Sequence, residues 1–185
     1  MIYPIYVYGM PVLRKRATEI AGDYANLGQL IADMFETMYF SEGVGLAAPQ
    51  IGLSIRLVVI DAAPLEDEDD PGLKDFKKVL INPEIVEEEG GEWTASEGCL
   101  SLPNIREDVT RKHRIRVAYR DEDFNPVEEI FEDVRARIVH HEIDHLNGVL
   151  ITDRIAPLKK RILNGRLTDI SKGKVEVDYK IVHPK

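Results

Sequence analysis

Glu132-Asp-Val-Arg-Ala-Arg-Ile-Val-His-His-Glu-Ile-Asp-His-Leu-Asn-Gly148 is the stretch on which the fold turns. Val134, Ile138, His141 and His145 recur at i, i+4, i+7 and i+11, which is one face of an α-helix. The helix is expected from about Glu132 to Asn147, with Gly148 where a stop belongs. Residues four apart lie one turn above each other, so both imidazoles point to one side and can share a metal. Glu142, next to the first of them, can take a proton from an attacking water as general base. The rest of the stripe is apolar, so the histidines face inward, where water can be excluded. The ordinary alternative is a pair of satisfied core histidines. His140 and Asp144 lie on other faces. His140 is expected to be partly solvated, and Asp144 stays open between a local hydrogen bond and the orienting of a ligand.

Working outward, a second helical stripe runs through Leu27, Leu30, Ile31, Met34, Phe35 and Met38, with Asp23 as its candidate cap and an end near Ser41-Glu-Gly43. An ordered arm of about twenty residues precedes it, turning at Pro11-Val-Leu-Arg14. Strands are expected at Arg56–Asp61, Val79–Asn82, Glu84–Glu87, Arg114–Tyr119 and Val127–Phe131. A short third helix is expected at Ala156–Leu163, and the alternating tail Lys174–Val182 reads as a further strand. Residues 62–78 hold five acids in a row, Glu66 to Asp70, which repel one another and predict an exposed loop. Strands and helices do not alternate regularly, so the class is α+β rather than a doubly wound sheet. The 185 residues are expected to form one domain.

Composition excludes several functions. Hydrophobic residues make up 44%, enough for a sizeable core and too many for disorder. Thirty-three acidic residues against 24 basic ones leave a net charge of −9, which argues against direct nucleic-acid readout. No run approaches 18 apolar residues and the N-terminus lacks a basic signal region, so neither membrane nor export is expected. One cysteine rules out an internal disulfide and fits a reducing cytoplasm.

A catalytic metal site needs a third protein ligand and an open position. Downstream, position 151 is Ile where a long metalloprotease pattern asks for His, and the only Glu after His145 is Glu176, in the tail. The third ligand is therefore sought upstream, where Cys99 stands in Glu97-Gly-Cys-Leu-Ser-Leu-Pro103. A lone cysteine is often just a small buried hydrophobe, and a cysteine nucleophile served by a histidine base is a further alternative. Gly43-Val-Gly-Leu-Ala-Ala48 matches a loose dinucleotide fingerprint but follows a helix, so the context is missing. It reads better as backbone brought close to a ligand, with Gln50 as a polar probe.

Gly43-Val-Gly-Leu-Ala-Ala-Pro-Gln50, Glu97-Gly-Cys-Leu-Ser101 and His141-Glu-Ile-Asp-His145 together resemble the three signatures of the peptide deformylase family, in family order and with similar spacing. Pro11–Arg14 and Leu146–Leu150 add to a likeness that spans most of residues 10–155. The resemblance implies antiparallel β-sheets packed around a central helix that carries the histidines. It implies a metal-dependent hydrolase that takes the formyl group from the N-terminal formyl-methionine of newly made proteins. Cys99, His141 and His145 would hold one divalent metal, Fe(II) in nature, with Zn, Ni or Co able to replace it. Glu142 would be general base and then proton donor. Gln50 and the backbone N–H of Leu100 would hold the oxyanion, and Gly45 would bind the substrate backbone.

Val44, Val134 and Ile138 are candidates for the methionine pocket, with ordinary core as the alternative. Glu97 is either a partner behind a ligand or a surface ion pair, and Arg106 either meets the peptide or is solvated. The partners implied by the resemblance are formyl-methionyl nascent peptides and, transiently, the ribosome. The strand-like C-terminus departs from members that end in a basic, ribosome-touching helix. His140 stands where the family often has Gln. A zinc peptidase and a non-catalytic binding domain are the rival readings.

Overall fold

The computed structural model describes residues 1–66 and 72–185. In chain order its elements are β1 (Ile5–Tyr6), α1 (Leu27–Phe40), β2 (Gly45–Ala47), β3 (Leu57–Asp61), β4 (Lys77–Gly98), β5 (Arg106–Arg120), β6 (Pro126–Glu132), α2 (Asp133–Leu146), α3 (Pro157–Ser171) and β7 (Ile181–Val182). The architecture is mixed, with β2 to β6 forming one antiparallel sheet in sequence order. The expected plural of antiparallel sheets needs correcting, because among the described residues the only other sheet is the two-residue parallel pair β1–β7. Its strands are too short and too far apart in sequence to make a hairpin.

β3 explains how the layers assemble. Leu57, Val58, Val59 and Ile60 are all fully buried, since this strand has apolar cover on both faces. Val58 and Ile60 join Val117, Phe131, Val139 and Ile143 in a core against α2. Leu57 and Val59 join Leu30, Ile31, Met34 and Met38 in a core against α1. Each such side chain contributes roughly 1.5–3 kcal/mol on burial. A third cluster packs Leu163, Leu167 and Ile170 of α3 against Val7, Leu102 and Ile105.

Several boundaries differ from the sequence reading. β4 is one strand of 22 residues. The sequence reading placed two short strands around Pro83, but register shifts at 81–84, 85–87 and 89–92 carry a single strand on through bulges. Asp23 does not cap α1. A turn closed by Tyr24 N–H on the Ala21 carbonyl uses up that segment. Asn26, left-handed at φ +57°, takes the cap position instead. α3 runs on to Ser171 because Leu163, Leu167 and Ile170 extend its buried stripe. In the tail, burial alternates as expected, yet only Ile181–Val182 pairs. In the acidic segment Leu65 and Glu66 are exposed, whereas Leu73 and Phe76 are buried, and residues 67–71 lie outside the described ones. No helix among the described residues is long and apolar enough to cross a membrane.

Candidate active site

α2 carries His141, Glu142 and His145 on consecutive turns, and the end of β4 brings Cys99 to them. The thiol sulfur lies 3.3 Å from His145 Nε2, and the two imidazole rings sit 5.0 Å apart. One donor atom from each of Cys99, His141 and His145 falls within a sphere where all pairs are 4.8 Å or closer. Burial by itself raises the Cys99 pKa, but His145 and His141 outweigh it and bring the thiol down to about 5. A thiolate and two imidazoles so placed are a donor set for a divalent metal.

Behind the donors stands a buried charge cluster. Glu97 is no surface residue: its Oε2 accepts from His141 Nδ1 at 3.0 Å. That bond leaves Nε2 of His141 as the free donor atom and fixes the ring's orientation. Arg111 clamps the same carboxylate through Nε at 2.6 Å and a second nitrogen at 2.9 Å, and Arg137 adds a contact of 2.6 Å. Burial works against the Glu97 charge, yet Arg111 and His141 hold the carboxyl well below the usual carboxylate range. Arg111 also reaches Asp144 at 2.9 Å, and Arg154 Nε binds Asp144 at 2.6 Å. Asp144, left open by the sequence, thus belongs to this cluster. His140 is 3% exposed, not partly solvated, because α2 packs on both flanks of the ligand stripe.

Glu142 is buried, and its Oε2 has no hydrogen-bond partner. Burial pushes its carboxyl up, against the pull of His141 and His145. A buried carboxylate oxygen left unpartnered beside a donor cluster is suited to accept a proton from a reacting water. Gln50, 2% exposed, accepts from Ala47 N–H through Oε1 at 2.9 Å. This orients its Nε2, which donates to Ser101 Oγ at 3.3 Å and points toward Cys99 Sγ at 3.7 Å.

A cavity of about 670 Å³ opens over the cluster, with Val44, Gly45, Gln50, Cys99, Leu100 and Glu142 in its wall. Val134 and Ile138 also line it, so the apolar half of the α2 stripe faces the cavity as well as the core. Arg106 lines it too, tied to the Ser96 carbonyl at 3.2 Å.

Sequence reasoning did not single out Trp93, Arg111, Arg137 or Tyr179. Trp93 lines the cavity, stacked on His113 at 5.3 Å and under the Arg137 guanidinium at 4.2 Å. Its period-two offset from Glu97 on β4 was the available signal. Nothing local marks Arg111, whose partners are 14 and 33 residues away.

The sequence profile of the polypeptide deformylase family matches residues 2–161. The chain is 50% identical to a peptide deformylase of Flavobacterium johnsoniae, over 98% of this chain and 95% of that protein. It is 48% identical to one of Christiangramia forsetii, over 100% and 97% of the two chains. The crystal structure of peptide deformylase from Thermotoga maritima matches with a TM-score of 0.75 at 46% identity, covering 85% of this chain and 99% of that one. A Legionella pneumophila peptide deformylase structure gives 0.80 at 38% identity, over 94% and 98%. Near-complete coverage on both sides, together with the profile match, means that the chain belongs to the polypeptide deformylase family.

Proposed function

We propose that the 185 residues act as one catalytic domain that removes the formyl group from the N-terminal formyl-methionine of newly made proteins, releasing formate. The observation that carries this is Glu142, its unpartnered Oε2 buried beside the Cys99, His141 and His145 donors at the floor of an open groove. The expected fold arrangement, sheet packed about the histidine-bearing helix, is the frame for it.

Cys99, His141 and His145 would hold one divalent metal, Fe(II) in the cell, and the same donors would accept Zn, Ni or Co. The bound metal supplies a Lewis acid that brings the ionisation of a water toward neutral pH. Glu142, with its unpartnered buried oxygen, takes the proton from the water that attacks the formyl carbon, which bears only hydrogen and is sterically open. Negative charge builds on the formyl oxygen, where Gln50 Nε2 and the Leu100 N–H donate to it. One such donor is worth about 3 kcal/mol of barrier. Glu142 then gives the proton to the departing nitrogen, leaving formate and a free amine.

Gly45 aligns the substrate backbone, while Val44 and Ile138 wall the methionine side chain. The substrate meets the enzyme in the cytoplasm, and α3, with Lys159, Lys160, Arg161 and Arg166, is the segment available to a transient ribosome contact.

The test is formate release from a formyl-methionyl peptide, using protein purified without oxygen and loaded with Fe(II) or Ni(II). Metal-dependent release is expected. Folded, metal-loaded protein that releases none, yet cleaves unformylated peptides, would turn the reading to a peptidase.

A further inference from the structure

Tyr179 belongs to the C-terminal tail, yet it reaches 79 residues back to the loop that carries Cys99. Its hydroxyl donates to the Leu100 carbonyl at 2.9 Å, and its ring lines the same cavity as Gly45, Gln50 and Glu142. Cys99 to Leu102 form a tight turn, closed by the Leu102 N–H on the Cys99 carbonyl at 2.9 Å. The carbonyl of the second residue in such a turn points away from the closing bond and needs an outside partner. The far end of the turn is already tied, with Tyr8 N–H on the Ser101 carbonyl at 2.9 Å and Gln50 on Ser101 Oγ at 3.3 Å. At the Leu100 end, Tyr179 is the one side chain among the described residues that bonds the backbone.

The tail is itself pinned on both sides of Tyr179. Ile5 N–H donates to the Lys180 carbonyl at 2.8 Å and Val7 N–H to the Val182 carbonyl at 3.0 Å. Before it, Asn104 Nδ2 donates to the Glu176 carbonyl at 3.2 Å. Burial, with Cys99 as a neighbour, pushes the phenol up to about 12, so the hydroxyl keeps its proton at working pH.

We propose that Tyr179 is a positioning residue for deformylation: the C-terminal tail delivers its hydroxyl to the Leu100 carbonyl and so holds the Leu100 N–H on the formyl oxygen. The inference rests on the deformylase reading above and on Leu100 as an oxyanion donor. The bond fixes the peptide plane after Leu100, while the Cys99 side of the residue is fixed by the donor cluster. Between the two, the residue has little freedom to swing its N–H out of line. Losing an oxyanion donor outright costs about 10²–10³ in kcat, so loosening one should cost less.

Tyr179→Phe removes one oxygen and keeps the ring in the groove. In the metal-loaded enzyme, kcat on a formyl-methionyl tripeptide should fall about tenfold, with KM and metal content unchanged. Amide hydrogen exchange of a peptide covering residues 99–103 should speed up, and that of α2 should not. Tyr179→Ala should also raise KM, because the ring is lost from the cavity wall. Wild-type kcat, unchanged exchange at 99–103, a loss confined to KM, or faster exchange throughout the protein would each overturn the proposal. If the wild-type enzyme itself releases no formate, the functional reading fails. The exchange at 99–103 then still reports whether Tyr179 holds the turn.

Discussion

The Glu142 carboxylate occupies the space where Gly45 lacks a side chain: a Cβ on Gly45 would stand 2.4 Å from Glu142 Oε1 and 2.7 Å from its carboxyl carbon. Two segments that are far apart in sequence are thereby interlocked at the centre of the site. The glycine leaves its backbone open to a ligand and leaves room for the base. Gly45→Ala should displace the carboxylate by about an ångström. A shift of that size costs on the order of a hundredfold in turnover. Metal content should be retained, since the three atoms nearest the new methyl group all belong to Glu142 and not to a metal donor. Wild-type kcat in a folded Gly45→Ala enzyme would mean that Glu142 need not stay where it is.

Removing the base itself separates chemistry from binding. Glu142→Ala leaves Cys99, His141 and His145 in place, so metal should still bind, while general acid–base help worth about 10²–10⁴-fold disappears. Metal analysis alongside formate release measures both. Full activity in this variant would remove Glu142 from the role.

Cys99→Ser tests the thiolate. A serine hydroxyl stays protonated near neutral pH and is a poor ligand in place of the thiolate. Metal affinity should drop by more than the roughly 10–100-fold that losing an outer hydrogen-bonding partner costs. Competition with a chelator reads this directly. An unchanged dissociation constant would leave His141 and His145 without the sulfur as their companion.

What the sequence disclosed, it disclosed where the signal is local. The α2 stripe placed His141, His145, Val134 and Ile138 on one face because helical periodicity is a short-range rule, and the structure has them there. The Leu57–Ile60 run read as a buried strand because both of its faces are covered. The break read at Pro83 failed for the opposite reason. Whether such a residue ends a strand or makes a bulge depends on the partner strand, here β5. The charge cluster was only half legible. Glu97 lies two residues from Cys99 and could be weighed, whereas Arg111 and Arg137 sit on other elements and become neighbours only through the fold. Tyr179 was hidden in a tail whose alternation suggested a ladder. The alternation instead reflects packing of one side of an unpaired segment against the body.

Arg111 should matter for stability more than any surface cation. Its side chain is 1% exposed and bridges Glu97 and Asp144. Arg111→Met would leave part of two buried carboxylate charges uncompensated, a situation that typically costs about 3–5 kcal/mol. Urea unfolding of the metal-loaded protein should show the loss. It should be larger than that for Arg114→Met, whose ion pairs to Glu89 and Glu132 are exposed. Equal losses for the two variants would mean that the cluster adds no more than a surface pair.

His140 gives the fold a pH dependence of predictable sign. It is 3% exposed, and its Nε2 lies 3.1 Å from an Arg154 nitrogen that donates to it. The neutral ring therefore carries its proton on Nδ1, which has no partner. Burial lowers its pKa, Asp144 opposes, and Arg111 and Arg154 lower it further, to about 4 against an ordinary value of 6.5. The unfolded chain thus binds a proton at this position below about 6.5 that the folded chain does not take up until about 4. Stability from this group is complete above the higher value and is lost as pH falls through the window between the two. His140→Gln keeps a polar side chain that does not titrate. Unfolding midpoints in urea at pH 7.5 and pH 5 should draw closer together in the variant than in the wild type, with the same metal loaded in both. Parallel pH profiles would show that His140 takes up its proton equally in both states, and would place the acid sensitivity of the fold elsewhere.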